Sequence, residues 1–347
     1  MMNNSIRRRS FLAGTAGLAT VAAMPRMSLA QGKDLVVGTW GGTFGDLVKS
    51  NIDEQIMRPA GYNVVQEISG PVPRRTKLIT QRMNRRGSMD AALLADFDMY
   101  AAAVVGALEK LDESIVPNFG NILPFLKKEH SVPMIYSAHV IVYRKDLIPT
   151  APESIEELWN PAYKGKIGLS DFLYTTNMAY AAVANGGNAQ NYKGAEQGVQ
   201  GWRDLDAKLL PSTEAVGQSL ATGDIWLTII AAARGYAWMK EGIDLGWVVP
   251  KEGAFPAVYE GGVPTNARHK DGGMAYMNAL LEPKAQAGFA EKMGYLPTVT
   301  NGIIDPDLQK LIGFTENEQQ RLWVPDMQFI MDHQASMLDS WNRIFKG

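Results

Sequence analysis

Leu35-Val36-Val37-Gly38-Thr39-Trp40-Gly41-Gly42-Thr43 is the stretch on which the fold turns. Apolar and β-branched residues run up to a Gly-Gly pair, which reads as a short buried strand closed by a turn. Gly42 or Thr43 can cap the helix that follows, whose apolar positions Phe44, Leu47, Val48, Ile52 and Ile56 step by three and four. Pro59 and Gly61 end it, and residues 62–68 (YNVVQEI) return to extended character. Residues 72–86 predict a second helix with Leu78, Ile79 and Met83 inward, and residues 89–94 (MDAALL) a third strand. Strand, helix, strand, helix, strand is the signature of an α/β domain with a largely parallel sheet.

The same reading extends downstream. Residues 134–143 (MIYSAHVIVY) form a long strand-like stretch, and Ser154 with Glu157 has the spacing of a capping box. A short strand is expected over 166–169, a helix over 175–184 stopped by Gly186-Gly187, and a helix over 198–209 with Trp202 and Leu205 inward. Residues 225–233 are apolar and buried, and 246–250 (GWVVP) read as a strand. Thr315 and Glu318 cap another helix, and Pro325 suits the first residue of a last helix ending near Phe345. There is no internal repeat and no long Gly/Ser linker.

Composition narrows the function classes. Residues 1–30 carry Arg7, Arg8 and Arg9, an apolar run from Ala13 to Met24, and Ser28-Leu29-Ala30. These are the basic, apolar and small-x-small parts of an export signal, with Arg8-Arg9-Ser10-Phe11-Leu12 of the twin-arginine type and cleavage expected after Ala30. The apolar run is too short to span a bilayer. Of the 34 basic residues, four arginines lie in that signal, leaving 30 against 36 acidic residues. An acidic surface disfavours nucleic acid, whose affinity comes mainly from neutralised phosphates. With no cysteine, disulfides, thiolate metal sites and a cysteine nucleophile are excluded. His130, His139, His269 and His333 lack metal-like spacing. No nucleophile elbow, P-loop or G-x-G-x-x-G occurs, so no catalytic residue, metal or cofactor is assigned.

Candidate binding residues cluster at strand ends, where ligands of open α/β sheets bind. Trp40 with Gly42 and Thr43 offers a flat wall beside approachable backbone, or else a core tryptophan at a tight turn. Asp96, after the third strand, can hold an ammonium group or cap the helix starting near Met99. Arg234 closes the apolar run 229–233 and calls for an anionic partner, either a ligand carboxylate or an internal acid. Arg74, Arg75, Lys77, Arg82, Arg85 and Arg86 read as a solvated helix face, from which Arg74 or Arg75 can reach the cleft.

Leu158-Trp159-Asn160-Pro161-Ala162-Tyr163-Lys164-Gly165-Lys166-Ile167, with Gly223-Asp224-Ile225, Pro250-Lys251-Glu252-Gly253, Pro264-Thr265-Asn266-Ala267 and Gly294-Tyr295-x-Pro297, resembles the solute-binding proteins of bacterial ABC importers. The resemblance is strongest to the spermidine/putrescine-binding branch. It implies a type II periplasmic binding protein fold: two discontinuous α/β lobes, residues 31–137 with 262–300 and residues 138–261 with 301–347, closing about a hinge on a small solute. It further implies a periplasmic, monomeric receptor without chemistry of its own, delivering to permease subunits, or alternatively a ligand sensor. On its pattern Trp40, Phe97 and Tyr295 line the cleft. Where polyamine binders place carboxylates, this chain has Phe172, Thr175 and Tyr259, with Arg234 close by, which points to a carboxylate-bearing or zwitterionic solute; a polyamine is the alternative.

Overall fold

The computed structural model describes residues 33–347. The export signal expected over residues 1–30 lies outside them. The deciding stretch forms strand β1 (Lys33–Thr39), with Trp40 directly after it. Gly41, not Gly42 or Thr43, is the N-cap of helix α1 (Gly42–Val48), and no side chain caps it. Gly42 takes φ +63°, a left-handed value that glycine adopts without steric cost. The helix widens into a π-helical segment (Lys49–Met57), and Phe44, Val48, Ile52 and Met57 line its buried side. Then follow β2 (Tyr62–Ile68), α2 (Pro71–Gln81), β3 (Ala91–Ala95) and α3 (Asp96–Val104). Helix α2 stops at Gln81, short of the expected end, so Met83 falls in a turn and is 84% exposed instead of inward.

The remaining longer elements are β4 (Val132–Arg144), β5 (Ile167–Ser170), α4 (Tyr174–Ala184), α5 (Ala195–Asp204), β6 (Lys208–Leu210), α6 (Thr213–Thr222), β7 (Leu227–Ala231), α7 (Ala232–Lys240), β8 (Leu245–Val248), β9 (Phe255–Gly262), α8 (Lys270–Leu280), α9 (Pro283–Met293), α10 (Pro306–Ile312), α11 (Glu316–Gln320) and α12 (Met327–Lys346). The helix expected over 198–209 ends at Asp204; Asp206, at φ +53°, turns the chain into β6. The Ser154 capping box does not form. Its hydroxyl caps Glu156 N–H in a short 3-10 turn and donates to Glu252, while Glu157 accepts from Asn160. The Thr315/Glu318 box does form. Pro325 lies outside the last helix, whose N-cap is Asp326.

Among the described residues nine strands make one sheet in the order β2-β1-β3-β9-β4-β7-β5-β6, with β8 beside β4. Pairs β1–β2, β1–β3, β5–β6 and β5–β7 are parallel, whereas β3–β9, β9–β4, β4–β7 and β4–β8 are antiparallel. The first three strands are thus parallel to one another, as their order implied, whereas the sheet as a whole is mixed. The difference comes from two strands that join its halves. Residues 132–139 of the thirteen-residue β4 pair with β9, and residues 139–143 pair with β7. The expected lobe boundaries at 137/138 and 261/262 fall inside β4 and β9. Helices cover both faces of each half, which is why β3 (AALLA) and β7 (LTIIA) are apolar almost throughout. Among the described residues no helix is long and apolar enough to cross a membrane.

Candidate functional site

The C-terminal end of β3, next to β1, pairs with the middle of the joining strand β9. Ala95 pairs with Tyr259 and Leu94 with Glu260. This register builds an aromatic row. The Trp40 ring lies 4.9 Å from Phe44 and 5.4 Å from Tyr259, both edge-on, and Tyr259 lies 5.4 Å from Tyr295 at 88°. Edge-to-face contacts at such distances are the favoured arrangement of aromatic rings. Trp40 and Tyr259 keep part of their surface exposed, while Tyr295 is buried.

Arg234, on α7, lies near enough to Tyr295, at the far end of this row, for its charge to act on the Tyr295 hydroxyl. Burial and the neighbouring Tyr259 push the Tyr295 hydroxyl well above the usual tyrosine range, and the Arg234 guanidinium pulls it the other way. Arg234 makes no ion pair within 4.0 Å among the described residues, although the exposed Glu214 lies near enough to feel its charge. The structure thus brings together Trp40, Tyr259, Tyr295 and Arg234 from positions spread over more than 250 residues.

Asp96 starts α3 beside this row. Its carboxylate accepts the Phe97 N–H at 2.8 Å, and the N-cap is Ala95. Burial raises its pKa to about 6, against the opposing pull of Lys128. Lys128 is paired at 2.6 Å with the fully buried Glu260, whose other oxygen accepts from Ser131 at 2.8 Å. Burial alone would lower the Lys128 ammonium, yet Glu260 and Asp96 outweigh it and hold it above its ordinary value.

Four predicted residues stand apart. Gly42 and Thr43 are exposed on the first turn of α1. Phe97 packs against the apolar cluster of the second half instead of the Trp40 row. Thr175 is half-buried on the first turn of α4, without a hydrogen bond among those of the described side chains, and Phe172 is 69% exposed. The acid of that segment, Asp171, accepts Trp341 Nε1–H and Lys346, each at 2.8 Å.

Of the two arginines expected to be able to leave the solvated face of the basic cluster, Arg74 is the one that does. It is not on a solvated helix face: it is fully buried, with its Cζ 4.3 Å from the centre of the Trp40 ring. The signal was in the spacing, since Arg74 stands one helical turn before the buried Leu78 and so shares its face. Arg75, one residue on, pairs with Asp98 at 2.6 Å. Phe44, Lys128 and Glu260 were missed. Among the described residues no three His, Cys, Asp or Glu side chains group as a metal site would require.

Comparison with known proteins gives a consistent picture. The profile of the family described as bacterial extracellular solute-binding protein matches residues 75–315. The chain is similar to the spermidine/putrescine-binding periplasmic protein of Escherichia coli K12, with 25% identity over 264 residues, covering 72% of this chain and 74% of that protein. Its fold is similar to that of an ABC transporter protein from Clostridium perfringens, with TM-score 0.78, 20% identity, and 90% of this chain and 99% of that one covered. It is also similar to a spermidine/putrescine substrate-binding protein from Streptococcus pneumoniae, with TM-score 0.75, 18% identity, and coverage of 90% and 98%.

Proposed function

This chain belongs to the bacterial extracellular solute-binding proteins and has the type II periplasmic binding protein fold, and on that premise we propose that it captures a small carboxylate-bearing or zwitterionic solute for an ABC importer. The observation that carries the ligand class is the aromatic row ending on Arg234, a guanidinium without an ion pair among the described residues. A planar donor fork beside half-exposed rings suits a carboxylate attached to a short apolar body. The nearby acids are less suited to a dication. Asp96 is buried and shares Lys128 with Glu260, and Asp171 is tied to Trp341 and Lys346.

Binding works by closure. Strands β4 and β9 carry the chain from one half of the sheet to the other, so flexing them moves residues 31–137 with 262–300 against residues 138–261 with 301–347. A solute touching both halves biases the closed arrangement by its differential affinity for it. The closed form is what a permease would recognise, and no bond in the solute need change. Export through the signal at residues 1–30, a periplasmic location and a monomeric state belong to the same reading.

The test is a thermal-shift screen of the mature chain against carboxylates, amino acids, putrescine and spermidine. Stabilisation by a carboxylate compound is expected, and Arg234→Gln should weaken that ligand roughly 10- to 100-fold, the worth of a charged hydrogen-bonded pair. The second reading, a polyamine, has Asp96 and the name of the Escherichia coli relative in its favour. Stabilisation by a polyamine alone, unaffected by Arg234→Gln, would establish that reading instead.

A further inference from the structure

Arg74 is a buried cation that the proposed binding mode has not used. Its side chain is fully buried, and Nε, Nη1 and Nη2 all lack a hydrogen-bond partner among the described residues. The Trp40 ring covers the guanidinium at 4.3 Å. A ring can face the flat of the group but cannot accept its N–H donors, which lie in the plane and point outward at the rim. The neighbouring acids are already committed: Glu67 to Lys77 at 2.7 and 2.8 Å, and Asp98 to Arg75 at 2.6 Å. Two pairs therefore cancel, and one positive charge is left over.

Such a charge is costly to bury unless something meets it. Burial pulls the Arg74 guanidinium down to about 10, which still leaves it cationic at neutral pH. The surrounding chain is shaped to keep it in place. A Cβ on Gly38 would come within 2.8 Å of Arg74 Cδ and 2.5 Å of Met89 Sδ, so the side chain lies against bare backbone. Two further buried hydroxyls without partners, Thr39 and Ser69, stand at the ends of β1 and β2, where Ser69 N–H donates to Thr39 O at 3.1 Å.

Arg74 lies against Trp40 at one end of the Trp40, Tyr259 and Tyr295 row, and Arg234 is near enough to Tyr295 at the other end for its charge to act on that hydroxyl. We infer that Arg74 forms a second anion subsite and that the preferred solute is a small dicarboxylate, its two carboxylates on Arg74 and Arg234 and its carbon chain along Trp40 and Tyr259. This inference rests on the carboxylate reading above and narrows it. Arg74 is sealed from solvent in this arrangement by groups of its own half, the part-exposed Trp40 among them, so the solute reaches it when the Trp40 ring gives way.

The experiment is calorimetric titration of the mature chain with succinate, glutarate and adipate, and with butyrate and valerate as monocarboxylate controls. At least one dicarboxylate should bind about 30-fold tighter than the monocarboxylate of equal length, as two charged contacts against one imply. Arg74→Met should erase that preference while leaving monocarboxylate affinity within about threefold. It should not lower the melting temperature of the ligand-free protein, since the uncompensated charge is removed with the side chain. Gly38→Ala, which displaces Arg74 without removing it, should reduce the preference too and covers the case in which Arg74→Met fails to fold. A dicarboxylate preference that survives both substitutions, or no preference in the unmodified protein, overturns the inference and leaves the carboxylate reading standing. A melting temperature lowered by Arg74→Met, with mono- and dicarboxylates weakened alike, would make Arg74 a prop for Trp40 and also overturn it. Silence toward every carboxylate fells the reading itself, and the inference with it.

Discussion

Two strands, one in each half of the sheet, run in opposite directions, and their C-terminal ends are put to opposite uses. After β3 the chain enters Asp96, a desolvated acid beside an aromatic row with guanidinium groups at both ends. After β5 it enters Asp171, also the first acid past a buried strand, but one satisfied by Trp341 and Lys346 from the last helix. At the first a buried charge, Arg74, is left without a hydrogen-bond partner; at the second the acid is paired, and the groups left over, Ser170 Oγ and Asn177 Oδ1, are neutral. An unpartnered buried charge costs far more in a folded chain than an unpartnered hydroxyl or amide, so the charge marks the end that awaits a solute. Position in the fold alone does not distinguish the two ends.

The largest way to break this contrast is at Trp40. Its ring stacks on Arg74 and meets Phe44 and Tyr259 edge-on, so Trp40→Ala should weaken the solute by about 100-fold, in line with the loss of a buried aromatic anchor. Solute addition should also change tryptophan fluorescence in the unmodified protein and much less in the variant. Unaltered affinity on titration removes Trp40 from the site.

A smaller effect follows from Asp96. Its carboxyl titrates near 6 in the fold against an ordinary value of 3.8, so the folded chain holds a proton that the unfolded chain has already lost. Stability from this group is therefore present below about pH 4 and falls as pH rises to about 6. Asp53, buried where Gln66 and Tyr276 donate to it, titrates near 6 as well and adds a fall of the same sign. Denaturant melts between pH 4 and pH 7 should show these declines, each roughly 1 to 3 kcal/mol. Asp96→Asn should remove one of them and leave the protein at pH 7 as stable as before, or more so. A decline unchanged in Asp96→Asn would place the titration elsewhere.

Much of the fold could be read in the chain because local signals agreed with tertiary ones. Strands β1 and β2 match their hydrophobic runs closely, and Thr315 caps its helix as the spacing requires. The motif 158–167 that carries the resemblance proves to be structural. Trp159 stacks on Trp202 at 4.3 Å and donates to Gly198 O, and Asn160 caps Ala162 N–H. The mixed sheet was not legible, since strand direction at β4 and β9 is set by partners more than 100 residues away. The same holds for the site. The aromatic row depends on the β3–β9 register, which no local pattern encodes, and Arg74 was hidden by the basic residues around it. One of the six basic residues was buried, Arg74, which lies inside the helix one turn before the buried Leu78.

The smallest effect sharpens the contrast from the other side. Asp171 has a side chain about 29% exposed and two donors at 2.8 Å, one of them the indole of the fully buried Trp341. An asparagine can present one oxygen to Trp341 but cannot keep the charge that attracts the half-exposed Lys346. The loss is mainly a partly solvated ion pair, which is worth little at a surface. Asp171→Asn should thus cost about 1 kcal/mol of stability in denaturant melts and leave solute affinity within about twofold. The opposite signs expected for Asp96→Asn and Asp171→Asn make the pair more decisive than either alone, because a general effect of removing an acid would move both the same way. If Asp171→Asn weakened the solute tenfold, the second strand end would share the site, and a cationic group on the solute would be the chemistry it recognises.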